Sequence, residues 1–331
     1  MSPTILVTGG AGYIGSHVCK SLKAAGYTPV TFDNLSHGHE WAVRYGPFFY
    51  GDLHNPEDLD AVFSRFQPSA VIHMAGSIHL RESIENPTIH YFNNVVGTLS
   101  LLKAMVKHEV TQLVFSSSAA VYAPPVYLPM DEEHPKGPLN PYGRTKWIVE
   151  QLFEDFHRAH GIEAVSLRYF NAAGADPDGE IGEAHHPESH LIPLLIMAAE
   201  GELEKFTVFS NSLPTPDGTA VRDYVHVSDL ARGHVLALNW LHANRKPNVF
   251  NLGSGSGASV QEVIQIAEQV TGNTLNVVRE NQTIDELPTL IADPSKAKQV
   301  LGWSPELSDM ETIFETALKW HRSGVNLPAS R

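Results

Sequence analysis

Apolar residues in this chain fall into short β-branched runs that alternate with longer stretches of helical period. Residues 4–7 (Thr-Ile-Leu-Val) read as a buried strand, and beyond a glycine-rich turn Ile14, Val18, Leu22 and Ala25 recur at helical spacing. Residues 27–32 make a second strand closed by Asp33, and residues 47–50 a third, followed by Gly51, Asp52 and Leu53. Pro56, Glu57 and Asp58 open a helix to about residue 66, the acids complementing the positive end of the helix dipole. A strand at 70–74 ends at Met74 and is followed by Ala75-Gly76, and a long helix at 91–107 carries Val95, Leu99, Leu102 and Val106 on one face. A strand at 113–115 then runs into Ser116-Ser117-Ser118, with a helix at 142–159 and a strand at 163–168. Repeated strand–helix units of this kind predict an α/β fold built on a doubly wound parallel sheet.

After Asn171 the pattern changes. Residues 172–190 are rich in Gly, Asp, Glu, Pro and His. A helix (191–200), a strand (206–209), a loop (210–218), a strand (221–226) and an amphipathic helix (229–241) follow. A strand at 249–252 is expected to return to the main sheet, with further helices at 260–270 and 310–321. The chain thus divides into a nucleotide-binding unit over residues 1–172, joined by roughly 220–252 from later in the chain, and a smaller mixed α/β cap over 173–331.

Composition narrows the class. With 42% hydrophobic and 18% charged residues, 331 residues supply a large core and an ordinary globular surface. Lys and Arg number 23 against 37 Asp and Glu, a net charge of −14, which argues against nucleic-acid or anionic-membrane partners. An anionic ligand must therefore meet local positive groups. The one cysteine, Cys19, sits on the first helix, so no intramolecular disulfide forms, as expected of a cytoplasmic protein. No leader pattern precedes the first strand, and no apolar run reaches membrane-spanning length.

Candidate chemistry gathers where the predicted strands end. Gly9, Gly12 and Gly15 lie in a strand–turn–helix context, where glycine lets the chain turn and lets a pyrophosphate approach a helix N-terminus. Asp33, about 20 residues on, is placed to accept hydrogen bonds from ribose hydroxyls. No Arg or Lys follows it until Arg44, so the pattern favours NAD over NADP. In doubly wound sheets ligands bind beyond the carboxyl ends of the strands. That puts Gly9 to Gly15, Asp33, Asp52, Ala75-Gly76 and the serine run on one rim. Asp52 can meet an adenine amino group or simply cap a turn. Asn140 and Pro141 suit the start of a helix on which Tyr142 and Lys146, four apart, share a face. A nearby ammonium favours a phenolate, so Tyr142 can exchange a proton with an alcohol, and Ser118 can bond the same oxygen. Lys146 can instead pair with Glu150. His185, His186 and His190 cluster in an acidic loop without a recognised metal-ligand spacing, so no metal is expected, and His190 can face a substrate.

Thr8-Gly9-x-x-Gly12-x-x-Gly15, Asp33, the serine run and Tyr142-x-x-x-Lys146 match, in order and spacing, the extended short-chain dehydrogenase/reductase family. Asn93-Asn94-Val95-Val96-Gly97-Thr98, Leu167-Arg168-Tyr169-Phe170-Asn171 and Val221-Arg222-Asp223-Tyr224-Val225-His226 make the chain similar to its nucleotide-sugar 4-epimerase branch over nearly the whole length. The resemblance implies a Rossmann-like fold, resident NAD, a homodimer and 4-epimerisation of a UDP-sugar, UDP-glucose/UDP-galactose foremost, through a 4-keto intermediate. It implies catalysis by Tyr142, Lys146 and Ser118. Cofactor contacts would come from Gly9, Gly12, Tyr13, Ile14, Gly15, Asp33, Asn34, Asp52, Leu53, Met74, Ala75, Asn93, Ser116, Tyr142, Lys146 and Tyr169. Substrate contacts would come from Ser118, Tyr142, Asn171, His190, Leu191, Thr207, Phe209, Arg222 and Glu286, with Arg222 on the diphosphate.

Several positions depart from the pattern. Ile78 stands where the family commonly has lysine, Thr283 where it has a second diphosphate arginine, Glu286 where it has aspartate, and Ala123 where glycine is frequent. Arg279 lies four residues before Thr283. Leu290 matches the position whose size bears on N-acetylated sugars. A UDP-N-acetylhexosamine or UDP-pentose substrate, or a catalytically silent NAD-binding protein, remain the alternatives. Ser118-Ala119-Ala120-Val121-Tyr122 offers no acid, which argues against a dehydratase.

Overall fold

Ile5, Leu6 and Val7 are completely buried because β1 (Thr4–Thr8) lies inside a seven-stranded sheet covered on both faces. A computed structural model describes residues 2–209, 212–280 and 287–324. In chain order the first part comprises β1, α1 (Tyr13–Ala24), β2 (Thr28–Asp33), β3 (Phe48–Tyr50), α2 (Pro56–Phe66), β4 (Ala70–His73), α3 (Leu80–Glu85), α4 (Pro87–His90), a π-helical segment (Tyr91–Val96), α5 (Gly97–Lys107), β5 (Gln112–Ser118), α6 (Pro141–His160) and β6 (Glu163–Tyr169). The second part comprises β7 (Asn171–Ala173), α7 (Leu191–Ala199), β8 (Phe206–Val208), β9 (Val221–Arg222), β10 (Tyr224–His226), α8 (Val227–Asn244), β11 (Asn248–Leu252), β12 (Ala258–Ser259), α9 (Val260–Thr271), β13 (Val277–Arg279), β14 (Thr289–Leu290), α10 (Ser295–Leu301) and α11 (Met310–Arg322).

The main sheet runs β11-β6-β5-β4-β1-β2-β3, and each of its pairings is parallel. Continuous apolar strands are what a sheet buried on both faces requires. On one face Val18, Cys19 and Leu22 of α1 pack with Leu230, Leu238 and Leu241 of α8. On the other, Leu59 and Phe63 of α2, Leu101 and Met105 of α5, and Phe153 of α6 close the layer. β11 arrives late in sequence and pairs with β6, Asn251 opposite Arg168. A third core joins Ile192 and Leu195 of α7, Val263 of α9, Phe314 of α11 and Phe206 of β8. This is the predicted doubly wound parallel sheet with a smaller mixed α/β assembly.

Local departures from the predicted elements have physical causes. The helix expected over 91–107 is π-helical up to Val96, and α3 and α4 precede it. Two adjacent asparagines there reach one serine. Asn94 accepts from the Ser77 N–H at 2.7 Å and donates to the Ser77 carbonyl at 3.1 Å, while Asn93 donates to the Ser77 hydroxyl at 2.8 Å. A wide turn permits this, and π-bulges often sit at functional sites. The strand expected over 221–226 divides at Asp223, whose buried carboxylate accepts from Ser254 N and Oγ at 2.7 Å and from Gly255 N and Ala292 N at 3.1 Å. β9 therefore joins β12 and β14, while β10 pairs with β7. The serine run continues β5 rather than following it, and β8 stops at Val208, leaving Phe209 exposed.

Glu150 of α6 and Arg168 of β6 form a buried, two-pronged ion pair beneath the rim, at 2.5 and 3.0 Å. Ser117 adds a 2.5 Å bond to Glu150. Arg168→Met strands a carboxylate in the interior and is expected to cost about 3–5 kcal/mol. Denaturant unfolding should show Arg168→Met/Glu150→Leu losing less than the single variant.

His17, His73, His226 and His234 are each at most 2% exposed. Burial pushes His17, His226 and His234 down to about 4 and His73 to about 3, from the ordinary 6.5. The unfolded chain takes up these protons first as pH falls, so their stability contribution is complete above pH 6.5 and drains away toward pH 4. Unfolding midpoints should drop steeply between pH 7 and 5, and His234→Leu should flatten that slope.

Candidate active site

The glycine turn between β1 and α1 uses its glycines for different reasons. Gly9 has φ +71°, and a Cβ there would stand 2.6 Å from the Ala75 nitrogen. At Gly15 a Cβ would meet the Gly9 carbonyl oxygen at 2.1 Å. At Gly12 the nearest atom would be that same oxygen at 3.3 Å, so one side of Gly12 stays open. Gly12 is the N-cap of α1, and no side chain caps the helix. An open backbone above free helix N–H groups is the shape a pyrophosphate requires.

At the end of β2, Asp33 is 9% exposed, and its carboxylate accepts from Ala11 N at 3.0 Å and Leu35 N at 2.8 Å. Burial raises its pKa, and those two bonds work against the rise. Held there, its remaining lone pairs can serve a ribose. Asp52 accepts from Asn34 at 2.9 Å and from the His54 N–H at 2.8 Å, which fits the turn-capping reading. Leu53 is buried in the core beside α2 and α5, whereas Ile14 and Met74 pack against the core under α1 and α8. Tyr13 donates to the Gly174 carbonyl at 2.5 Å and so ties α1 to the loop after β7. Lys20 of α1 is engaged by Asp176 and Asp178 at 2.8 Å and by Glu180 at 3.1 Å. The open cradle at Gly12 and the fixed acid at Asp33 fit NAD.

Tyr142, Lys146 and Glu150 form one stripe of α6, whose start is set by Asn140 accepting from the Gly143 N–H at 2.8 Å. The stripe lies against the serine end of β5. Lys146, 3% exposed, donates to the Ser116 carbonyl at 2.8 Å and stands 4.8 Å from the Phe115 ring centroid and 5.8 Å from that of Tyr142. Burial pushes Lys146 down to about 8, partly offset by Glu150. Glu150 is committed to Arg168, so a Lys146–Glu150 pair is not what holds the lysine. Burial raises the Tyr142 phenol, and the Ser118 hydroxyl draws it back. Ser116 Oγ bonds the Tyr169 hydroxyl, which makes Tyr169 a strut of the rim.

The remaining expected substrate residues come from the second part of the chain. Asn171 is exposed at the start of β7, its N–H bonded to the Asp223 carbonyl at 3.0 Å. Arg222 on β9 donates to the Val221 carbonyl at 2.9 Å. Leu290 lies opposite it in register and packs on the cluster of Val121, Tyr122 and Met130. His190 holds the N-cap position of α7, just before Leu191, without a side-chain capping bond, and its Nδ1 meets Glu183 at 2.7 Å and Glu188 at 3.0 Å. Burial alone would lower His190, but the two carboxylates raise it to about 10. Thr207 is partly buried on β8, Phe209 is exposed beyond it, and Ile78 is exposed after β4. Thr283 and Glu286 lie outside the described residues.

Some participants were not singled out by sequence reasoning. Glu183 and Glu188 complete the histidine cluster in place of His186. With His185 and His190 they are the group among the described residues whose ligand atoms come within 4.8 Å of one another. The carboxylate of Glu183 also meets His185 Nδ1 at 2.8 Å, so each imidazole has an acid partner. Asn94 was visible only as half of an Asn-Asn doublet. Nothing in the local sequence marked His90, whose ring meets Tyr142 edge to face at 6.3 Å.

Comparison with known proteins identifies the family. The sequence model of the NAD dependent epimerase/dehydratase family matches residues 5–253. The chain is 48% identical to a UDP-glucose 4-epimerase of Rhizobium meliloti over 317 residues, 96% of each chain. Among solved structures it is similar to UDP-glucose 4-epimerase from Brucella ovis in complex with NAD (TM-score 0.94, 46% identity, 96% of this chain and 98% of that one). It is also similar to the enzyme from Stenotrophomonas maltophila with bound NAD and formylated UDP-arabinopyranose (TM-score 0.93, 36% identity, 97% and 98%). A glycine turn, a buried acid and a Tyr–Lys stripe on one rim, together with these matches, make the chain a member of the NAD dependent epimerase/dehydratase family.

Proposed function

We propose that this chain is an isomerase that interconverts the C4 epimers of a UDP-sugar, UDP-glucose and UDP-galactose foremost, with NAD as resident cofactor. The observation that carries the reading is the meeting of Tyr142 and Lys146 with Ser118 at the rim that also holds the glycine turn. NAD, when bound, supplies the hydride acceptor and donor at C4 of the sugar. Tyr142 takes the proton of the sugar 4-hydroxyl and later returns one to the 4-oxygen. Protonated Lys146 beside its ring favours the phenolate, which burial opposes. Ser118 holds the same oxygen by a hydrogen bond.

Gly12 and the α1 N-terminus receive the cofactor pyrophosphate, and Asp33 its adenosine ribose, helped by Tyr13, Ile14 and Asn34. Leu53, Met74, Ala75, Asn93, Ser116 and Tyr169 complete the cofactor wall. Arg222 binds the substrate diphosphate, where its planar fork suits paired oxygens. Asn171 and His190 bond the nucleotide sugar, and the backbone near Leu191, Thr207 and Phe209 receives the uracil. A UDP-pentose is the second reading of the substrate. It is favoured by threonine at position 283, and by formylated UDP-arabinopyranose bound to the Stenotrophomonas relative.

The exposed apolar side chains of Ile84, Ile89, Phe92 and Val96 along α3, α4 and the π-helical segment support a homodimer through this face. A single buried cysteine supports a reducing, cytoplasmic setting. Among the described residues no helix is long and apolar enough to cross a membrane.

Purified protein incubated with UDP-galactose and, separately, a UDP-pentose should yield the 4-epimer of at least one. If no nucleotide sugar is interconverted, the reading fails. Tyr142→Phe should lower kcat at least a hundredfold with NAD still bound. Gly12→Ala should fold normally but release NAD on gel filtration, whereas Gly15→Ala should lose stability through its clash with the Gly9 carbonyl.

A further inference from the structure

Glu183, His185, Glu188 and His190 lie within eight residues of the loop before α7 and bring one donor atom each into a single group. The four atoms are all within 4.8 Å of one another. Nδ1 of His185 and Nδ1 of His190 approach the same oxygen of Glu183, at 2.8 and 2.7 Å, and His190 Nδ1 also meets Glu188 at 3.0 Å. The side chain of Glu183 is 9% exposed and that of Glu188 12%, so two carboxylates crowd together away from water. Like charges so placed oppose one another. Among the described residues their ion-pair partners are the two imidazoles, with no Lys or Arg. We propose that these four side chains form a structural site for a divalent cation of the zinc class. The inference goes beyond epimerisation and does not depend on it.

Two imidazole nitrogens and two carboxylate oxygens are too nitrogen-rich a set for magnesium or calcium and suit zinc. Zinc holds such ligands at about 2.0–2.2 Å in a tetrahedron, whose edges are then about 3.3 Å. The three short contacts need to open by only roughly 0.3–0.6 Å to reach that edge, a shift within the reach of side-chain torsions. Four protein ligands leave no open position, which marks a structural rather than a catalytic site. The backbone that carries them is already anchored. Trp320 Nε1 donates to the Glu183 carbonyl at 2.8 Å, and His39 Nε2 lies 2.7 Å from the Ala184 carbonyl oxygen. Glu188 Oε1 accepts from the N–H groups of Ser189 and His190 at 2.7 and 2.8 Å. The His190 side chain, 43% exposed, is the side from which an ion can enter. The ring of His185 meets that of Tyr13, the first residue of α1, with centroids 6.3 Å apart, and His190 leads directly into α7. A bound cation therefore staples the loop that runs from the glycine turn's helix to α7. Coordination through Nδ1 leaves Nε2 of each ring outside the ligand set, so His190 keeps a nitrogen for a nucleotide sugar. Histidine spacing conceals the site, because the other two ligands are Glu183 and Glu188 rather than His186.

The test uses the purified full chain with NAD added, first stripped of metal by a chelator, and Zn²⁺ or Co²⁺ alone as the probe. The Co²⁺-loaded protein should show the intense visible absorption of a tetrahedral site, and amide exchange over residues 183–190 should slow when Zn²⁺ is present. Glu183→Gln, His185→Gln and Glu188→Gln should each weaken Zn²⁺ binding, read by competition with a chromophoric chelator, by at least the roughly 10–100-fold that a partner behind a metal ligand is worth. His186→Gln should bind Zn²⁺ as the parent does. The weak spectrum of an octahedral aquo ion in the Co²⁺-loaded parent overturns the proposal. So does unchanged Zn²⁺ affinity in whichever of the three ligand variants fold. Interconversion of UDP-sugars is assayed separately, and its failure leaves these metal readouts untouched.

Discussion

Everything at the rim depends on how α6 is docked against the carboxyl end of β5. Side chains on a strand alternate between faces, and the serine run uses that alternation. Ser116 turns its hydroxyl to Tyr169, and Ser117 turns its own to Glu150. Lys146 takes the Ser116 carbonyl itself. A helix fixed at Lys146 and Glu150 along one stripe has no freedom left to rotate, so the direction of Tyr142 follows. Serine suits this strand end because a larger side chain would push the helix away, and an apolar one would leave Glu150 with fewer bonds.

Charge is managed with the same economy. In a chain with 14 more acids than bases, most cations described above are already committed. Lys20 serves three carboxylates of the loop after β7, and Arg168 serves Glu150. Arg232 bonds Asp229 and Glu306, and Arg245 bonds Glu163. Positive potential at the cleft is left to backbone N–H groups at the start of α1 and to few side chains. Among the described residues Lys146 is exceptional in being buried without an ion-pair partner, and burial brings its pKa down to about 8, partly offset by Glu150.

Much of this was legible in the sequence, and the reasons are physical. The strands of a sheet buried on both faces are near-continuous apolar runs, so β1, β4 and β6 stood out. The start of α2 was legible from Pro56 and the acids Glu57 and Asp58, and that of α6 from Asn140-Pro141, whereas the cap that Asn55 supplies to α2 was seen only in the structure. What could not be read depends on distant partners. The break at Asp223 exists because N–H groups some 30 and 70 residues away converge on one carboxylate. The π-helical stretch exists because two asparagines seek a serine in another loop. The Tyr–Lys spacing was visible in the sequence, whereas His90, on a short helix of weak pattern, came into view only through the contact of its ring with Tyr142.

The late arrival of β11 has a consequence for biosynthesis. Six strands of the main sheet have been synthesised once residue 169 is made, yet β6 has no outer neighbour until residues 248–252 follow. The face under α1 is likewise half bare until α8 emerges to cover it. For that interval the nascent chain carries an open strand edge and an uncovered apolar surface, the two features that invite wrong association. The second part of the chain therefore closes the first. A truncated transcript or a separately expressed first half inherits both exposures permanently.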